Sequence, residues 1–121
     1  MSGLDLTGRR VLVVEDDYLL AAFLRGLLES WGATLVGPAP TSERALALLA
    51  GTRIDFALLD VNLGGEPVFS VADALAAERI PFSFTTGYET SMIPERHRNA
   101  LVLRKPFGEA AVEEALLPLA I

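Results

Sequence analysis

The chain of 121 residues contains no cysteine, which excludes a disulfide framework, a thiolate metal site and a cysteine nucleophile. It also lacks any apolar run approaching the ~18 residues of a membrane-spanning helix and any leader of the signal-peptide kind, so the default expectation is a cytoplasmic protein. Positive charge is scarce. Ten Lys and Arg stand against sixteen Asp and Glu, for a net charge of −6. The ten are scattered in pairs such as Arg9/Arg10, Arg96/Arg98 and Arg104/Lys105. An acidic surface of this kind repels the phosphate backbone that supplies most nucleic-acid affinity, which argues against direct DNA or RNA binding. There is one histidine, His97, flanked by Arg96 and Arg98 and expected on the surface. Low-complexity segments, internal repeats and linkers are missing as well.

What is present is an ordinary globular composition, 51% hydrophobic and 21% charged. A chain of this length is one domain and buries roughly two thirds of the surface its unfolded form exposes.

Strand-like and helix-like patterns alternate from end to end. Arg10 to Val14 is a β-branched run, and from Tyr18 to Trp31 the apolar residues Leu20, Phe23, Leu24, Leu27, Leu28 and Trp31 follow a 3.6 period. Gly32 ends that helix. Thr34 to Val36 reads as a second strand closed by Gly37 and Pro38, and Thr41 or Ser42 caps a second helix through Ala50. Ile54 to Leu59 is the third strand and runs into Asp60. After a Gly64-Gly65 turn, Val68 to Glu78 forms a weak helix, and Pro81 precedes a fourth strand, Phe82 to Thr86. Pro94 allows only a short or irregular helix over 89–98. Leu101 to Arg104 is the fifth strand, and Glu109 to Leu119 the closing helix, frayed by Pro118.

Strands apolar on both faces and alternating with helices require a parallel sheet covered on both sides. The fold class is α/β, a doubly wound five-stranded parallel sheet. Right-handed crossovers leave a few strand orders, of which the flavodoxin-like 2-1-3-4-5 is a common one.

In such a sheet the carboxyl ends of the strands share one edge, where ligands bind. The stretch "VLVVEDDYLL" delivers Glu15 and Asp16 there, the third strand Asp60, the fourth Thr85 or Thr86 with Gly87, and the fifth Lys105 with Pro106. Asp17 reads as a helix N-cap. Three carboxylates in one pocket demand a compensating cation. Lys105 supplies one positive charge, and a hard divalent ion, Mg²⁺, suits the rest. Metal plus carboxylate points to phosphoryl transfer, with Asp60 as the carboxylate that accepts the group. Strand alternation lets one of the two threonines face the pocket, and Thr86 is the expected one.

These residues, in this order, resemble a bacterial response-regulator receiver domain (CheY-like) over about residues 8–119: an acidic pair (Glu15/Asp16), an acceptor (Asp60), a hydroxyl (Thr86) and Lys105/Pro106. The resemblance implies the 2-1-3-4-5 order. It further implies that Asp16, Asp60 and the Asn62 carbonyl ligate Mg²⁺, with Glu15 acting through water. Asp60 would take a phosphoryl group from a histidine kinase or histidine phosphotransfer protein, Lys105 would pair with a phosphoryl oxygen, and Thr86 would move to bond another. "PFSFTTGY" and "DVNLGG" are similar to segments of the FAT GUY receivers, a mostly single-domain group, with Thr85 where that group has Ala.

The expectation is one receiver domain over residues 1–121 with no effector domain, a phosphoacceptor switch and not an enzyme, signalling to a downstream protein. Typical receivers carry an aromatic ring on strand five where this chain has Val102, and Tyr88 is a substitute ring. That departure supports the alternative, a receiver-fold interaction module that works without phosphate. A haloacid-dehalogenase type hydrolase is disfavoured, because Glu15 occupies the nucleophile's place after strand one.

Overall fold

In the computed structural model, which describes residues 4–87 and 90–120, the elements run β1 (Arg10–Val14), α1 (Tyr18–Ser30), β2 (Thr34–Ala39), α2 (Ser42–Gly51), β3 (Phe56–Asp60), β4 (Asn62–Leu63), β5 (Glu66–Pro67), α3 (Phe69–Ala77), β6 (Phe82–Thr86), β7 (Val102–Arg104) and α4 (Glu109–Leu116). The main sheet has five parallel strands in the order β2-β1-β3-β6-β7. Numbered among themselves, these strands follow the expected 2-1-3-4-5 order.

Alternation along the strands divides the core into two layers. Leu12 and Val14 of β1, with Ala57 and Leu59 of β3, pack under α2 and α3 against Ala45, Leu49, Val71 and Leu75. Val11 and Val13, with Phe56 and Leu58, pack under α1 and α4 against Leu24, Leu28, Val112 and Leu116. Truncating one such fully buried leucine to alanine costs roughly 2–5 kcal/mol. Asp60 continues the Phe56 and Leu58 register, so it grows out of the α1/α4 layer.

Local chemistry sets the ends of the elements. Asp17 is the N-cap of α1 and accepts from the N–H groups of Leu19 (2.9 Å) and Leu20 (3.2 Å). At the other end Gly32, at φ +92°, lets Ala33 N–H return to the Leu28 carbonyl at 2.9 Å and Gly32 N–H to that of Glu29 at 3.0 Å, a Schellman closure. Trp31 is buried in the α1/α4 layer. Thr41, not Ser42, caps α2 and accepts from Arg44 N–H at 3.1 Å.

Several element ends differ from the sequence expectation. Gly37 and Pro38 do not close the second strand. They form an irregularity within it, and pairing resumes at Val14 with Ala39. β2 is an edge strand, where a proline is tolerated. Gly37 has φ +104°, and a Cβ there would stand 2.8 Å from Ala39 N. The closing helix stops at Leu116 and continues as a 3₁₀ turn, Leu117–Leu119, around Pro118. Where the sequence allowed an irregular helix, Thr90–Met92 and Glu95–His97 are two 3₁₀ turns.

Candidate functional site

The carboxyl edge of the sheet gathers the acids. Glu15 follows β1, and its N–H donates to the Ala39 carbonyl at 2.9 Å, so the resumed pairing of β2 fixes its backbone. Glu15 is 3% exposed and Asp60 5%, whereas Asp16 is open to solvent. Oxygens of Glu15, Asp16 and Asp60 all lie within 4.8 Å of one another. At that separation each ionised pair repels by roughly 3.5 kcal/mol in a medium of effective dielectric about 20.

Lys105, just past the edge strand β7, borders the same carboxyl edge and meets this cluster. Its Nζ donates to Asp60 Oδ2 at 3.0 Å and lies 3.4 Å from Glu15 Oε1. Burial acts to lower the Lys105 pKa, but the hydrogen bond and charge of Asp60, together with Glu15, outweigh it and hold the ammonium above its usual range. Burial pushes the Glu15 carboxyl up to about 7; the Asp17 N–H works against this at 3.0 Å, the Asp60 charge adds to it and Lys105 opposes it. Asp60 Oδ1 accepts the N–H of Asn62 at 3.1 Å, which orients the Asp60 carboxylate.

Glu15, Asp16, Asp60, Asn62, Gly87 and Lys105 border one cleft of about 590 Å³. Among the described residues the donor set is three carboxylates against one ammonium, with Asp16 facing water. This fits a hard divalent cation such as Mg²⁺ that retains several waters.

Thr85 and Thr86 are both 2% exposed. Asp60 pairs with Thr85 in the ladder, which puts Thr85 on Asp60's face of the sheet and Thr86 on the face of Phe84. The residue after β6 that borders the cleft is Gly87. Thr85 Oγ1 is buried without a hydrogen-bond partner among the described residues. Val102 pairs with Phe84 and packs into the α2/α3 layer. Tyr88, the substitute ring, lies outside the described residues.

His97 is not on the surface. It is 6% exposed, with its ring edge-on to Phe82 (centroids 5.5 Å apart) and Phe84 (6.1 Å). Nε2 stands 2.7 Å from Asp73 Oδ1, and Arg96 grips the same carboxylate at 2.8 and 3.0 Å. Arg96, then His97, draw the Asp73 carboxyl down to about 2. The two 3₁₀ turns around Pro94 bring His97 back onto the sheet, an outcome that flanking arginines do not signal. Glu66, which anchors the turn after Asp60, was likewise not singled out by the sequence, although the Gly-Gly dipeptide is a hairpin-turn signal.

Comparison with known proteins agrees with this geometry. The family model described as the response regulator receiver domain matches residues 11–116. The phyllosphere-induced regulator PhyR of Methylorubrum extorquens is 31% identical over 110 residues, 88% of this chain, which spans 41% of PhyR's length. The solution structure of SdrG from Sphingomonas melonis Fr1 is 44% identical with a TM-score of 0.81, covering 98% of each chain. The BeF₃-activated conformation of SdrG is similar as well, at 42% identity and TM-score 0.77, covering 97% of this chain and 98% of that one. With the sheet order, the acidic trio and Lys105 in their places, the chain belongs to the response regulator receiver domain family, the CheY-like receivers of two-component signalling.

Proposed function

We propose that this chain is a receiver unit that accepts a phosphoryl group on Asp60 from a phosphohistidine, carried by a histidine kinase or histidine phosphotransfer protein, and signals by changing its protein partner. The observation that carries this reading is the Asp60 carboxylate: buried at a strand end, bonded to Lys105 at 3.0 Å and within 4.8 Å of two further carboxylates. Receivers are phosphoacceptor switches and not turnover enzymes. The BeF₃-activated form of SdrG supports the reading, since BeF₃ mimics a phosphoryl group on a carboxylate oxygen.

In the transfer, an Asp60 oxygen bonds to phosphorus as the P–N bond breaks, and the departing imidazole nitrogen keeps the bonding pair. Asp16, Asp60 and the Asn62 carbonyl are the groups that would hold Mg²⁺, with Glu15 completing the set. Bound there, the ion would supply charge neutralisation for the phosphoryl oxygens. Lys105 turns from Asp60 to a phosphoryl oxygen; Thr86, which alternation sets on the face of Phe84 in this structure, bonds another only by moving toward the site, and that movement draws the backbone after β6 with it. With Val102 in place of a ring, the signal leaves through residues 87–98, whose fixed points are Ile93 and His97 in the core. Such a switch biases two states already accessible to the chain.

Beside the cleft, the first turn of α1 exposes Tyr18 (82%) and Leu19 (76%). Two adjacent apolar side chains in water next to Asp16 and Asp17 give a phosphohistidine-bearing partner an apolar landing surface.

The test is intact mass after incubation with acetyl phosphate, with and without Mg²⁺, on the wild type and on Asp60→Asn. The expected result is a Mg²⁺-dependent gain of one phosphoryl group that Asp60→Asn abolishes. Failure of both acetyl phosphate and a cognate phosphohistidine donor to modify a folded, Mg²⁺-binding protein overturns the reading.

A further inference from the structure

The segment after the acceptor strand is a small hairpin held at both ends. Asn62 pairs with Pro67 and Leu63 with Glu66. Gly64 and Gly65, at φ +58° and +95°, make the turn, and Asn62 Oδ1 accepts Gly65 N–H at 2.7 Å. On the cleft side the hairpin lies beside Asp16: a Cβ added to Gly64 would stand 3.4 Å from Asp16 Oδ2, about van der Waals contact. Away from the cleft it is tied to another helix. Glu66 Oε1 accepts Ser42 N–H at 2.9 Å, and the Pro67 carbonyl accepts Ser42 Oγ at 3.4 Å.

Ser42 is the first residue of α2, where a backbone N–H has no partner within the helix and the helix dipole favours an anion. The Ser42 N–H in turn holds the Glu66 carboxyl below its usual range. A two-residue ladder closed by two glycines has little stability of its own, since short hairpins are marginal and glycine loses the most freedom on ordering. Its position therefore depends on its attachments: Leu63 is buried in the α2/α3 layer, and the Glu66 carboxylate ties the hairpin to the first turn of α2.

We propose that Glu66 is a positioning residue for the cation site: by accepting the Ser42 N–H it locks the hairpin to α2 and so fixes the Asn62 carbonyl and the backbone that packs on Asp16. This rests on the reading that Asp16, Asp60 and the Asn62 carbonyl hold Mg²⁺. The coupling is reciprocal. A cation that orders the hairpin also strengthens its tie to α2.

Calorimetric titration of Mg²⁺ into the wild type, Glu66→Ala, Glu66→Gln and Ser42→Pro tests this, with circular dichroism reporting that each is folded. Glu66→Ala is expected to weaken Mg²⁺ binding about tenfold, the usual effect of losing an outer-shell partner. Glu66→Gln retains an acceptor oxygen and stays near the wild type. Ser42→Pro removes the donor at a helix position that tolerates proline, and reproduces the loss. Hydrogen exchange of the Ser42 amide slows on Mg²⁺ addition in the wild type and not in Glu66→Ala. Glu66→Ala binding Mg²⁺ as tightly as the wild type overturns the positioning role alone. A wild type that binds no Mg²⁺ overturns that role together with the cation site on which it rests.

Discussion

Replacing Lys105 with methionine keeps most of the side-chain volume and removes a cation that faces two buried carboxylates. From the 3.0 Å and 3.4 Å separations to Asp60 and Glu15, the gross attractions are roughly 5.5 and 5 kcal/mol at an effective dielectric of about 20. The net loss is smaller. Lys105 regains hydration when the chain unfolds, and its side chain is 27% exposed, which screens both pairs. Removing one partner from a buried pair costs roughly 3–5 kcal/mol, and screening places this case near the lower end, at about 3 kcal/mol in metal-free protein at about pH 8. The dependence on conditions is the sharper test. At about pH 5 Glu15, with its pKa of about 7, is mostly protonated, so only Asp60 is left unpaired and the loss falls to about 1–2 kcal/mol. Saturating Mg²⁺ supplies positive charge in place of the ammonium, so it stabilises the variant more than the wild type, and the gap narrows. Urea unfolding in EDTA and in Mg²⁺ at both pH values reads all of this; with a slope of about 1.5 kcal/mol per molar, the alkaline metal-free midpoint shifts by roughly 2 M. A loss below about 1 kcal/mol that ignores both pH and Mg²⁺ refutes the electrostatic account of the site.

Thr85→Val replaces a buried, unpartnered hydroxyl with a methyl group of the same shape and is expected to stabilise by about 1 kcal/mol in chemical denaturation; destabilisation counts against the orphaned hydroxyl. Asp73→Asn tests the grip of Arg96 and His97. Because the folded Asp73 pKa is lowered from 3.8 to about 2, its contribution is complete above the unfolded value and disappears as pH falls through the folded one. Discounted for a half-exposed side chain, the wild type is about 1 kcal/mol more stable than the variant at neutral pH, with the gap closing between about pH 4 and 2; a gap that persists at the acid end contradicts the ion pair as its source. Tyr18→Ala slows phosphoryl transfer from a phosphohistidine protein while leaving modification by acetyl phosphate unchanged, and an equal loss with both donors places Tyr18 in the site's chemistry instead of in docking.

The fold class was legible in the sequence because its signals are local and redundant. The valine and leucine runs of β1 and β3, the 3.6 period of α1, and Asp17 and Gly32 at its ends each follow from side-chain periodicity or capping over a few residues. The composition of the cleft followed once the strands were taken as parallel, since that places Glu15, Asp16, Asp60 and Lys105 on one edge although 90 positions separate the first from the last. Other features depended on distance in three dimensions. Gly37 and Pro38 read as a strand end, yet pairing with the neighbouring strand carries β2 through them to Ala39, and that pairing fixes Glu15. The sequence puts His97 between two arginines, and only packing against Phe82 and Asp73 shows that it is buried. Which threonine shares Asp60's face depends on the register between β3 and β6, a relation between residues 25 positions apart. Glu66 looks like any exposed loop acid until the first turn of α2 is brought within 2.9 Å of it. The sequence determined which chemical groups reach the carboxyl edge, because strand ends are set locally; the tertiary structure decided which groups touch, because hydrogen bonds and charge pairing act over a few ångströms, and strand register together with the packing of helices and turns sets those distances.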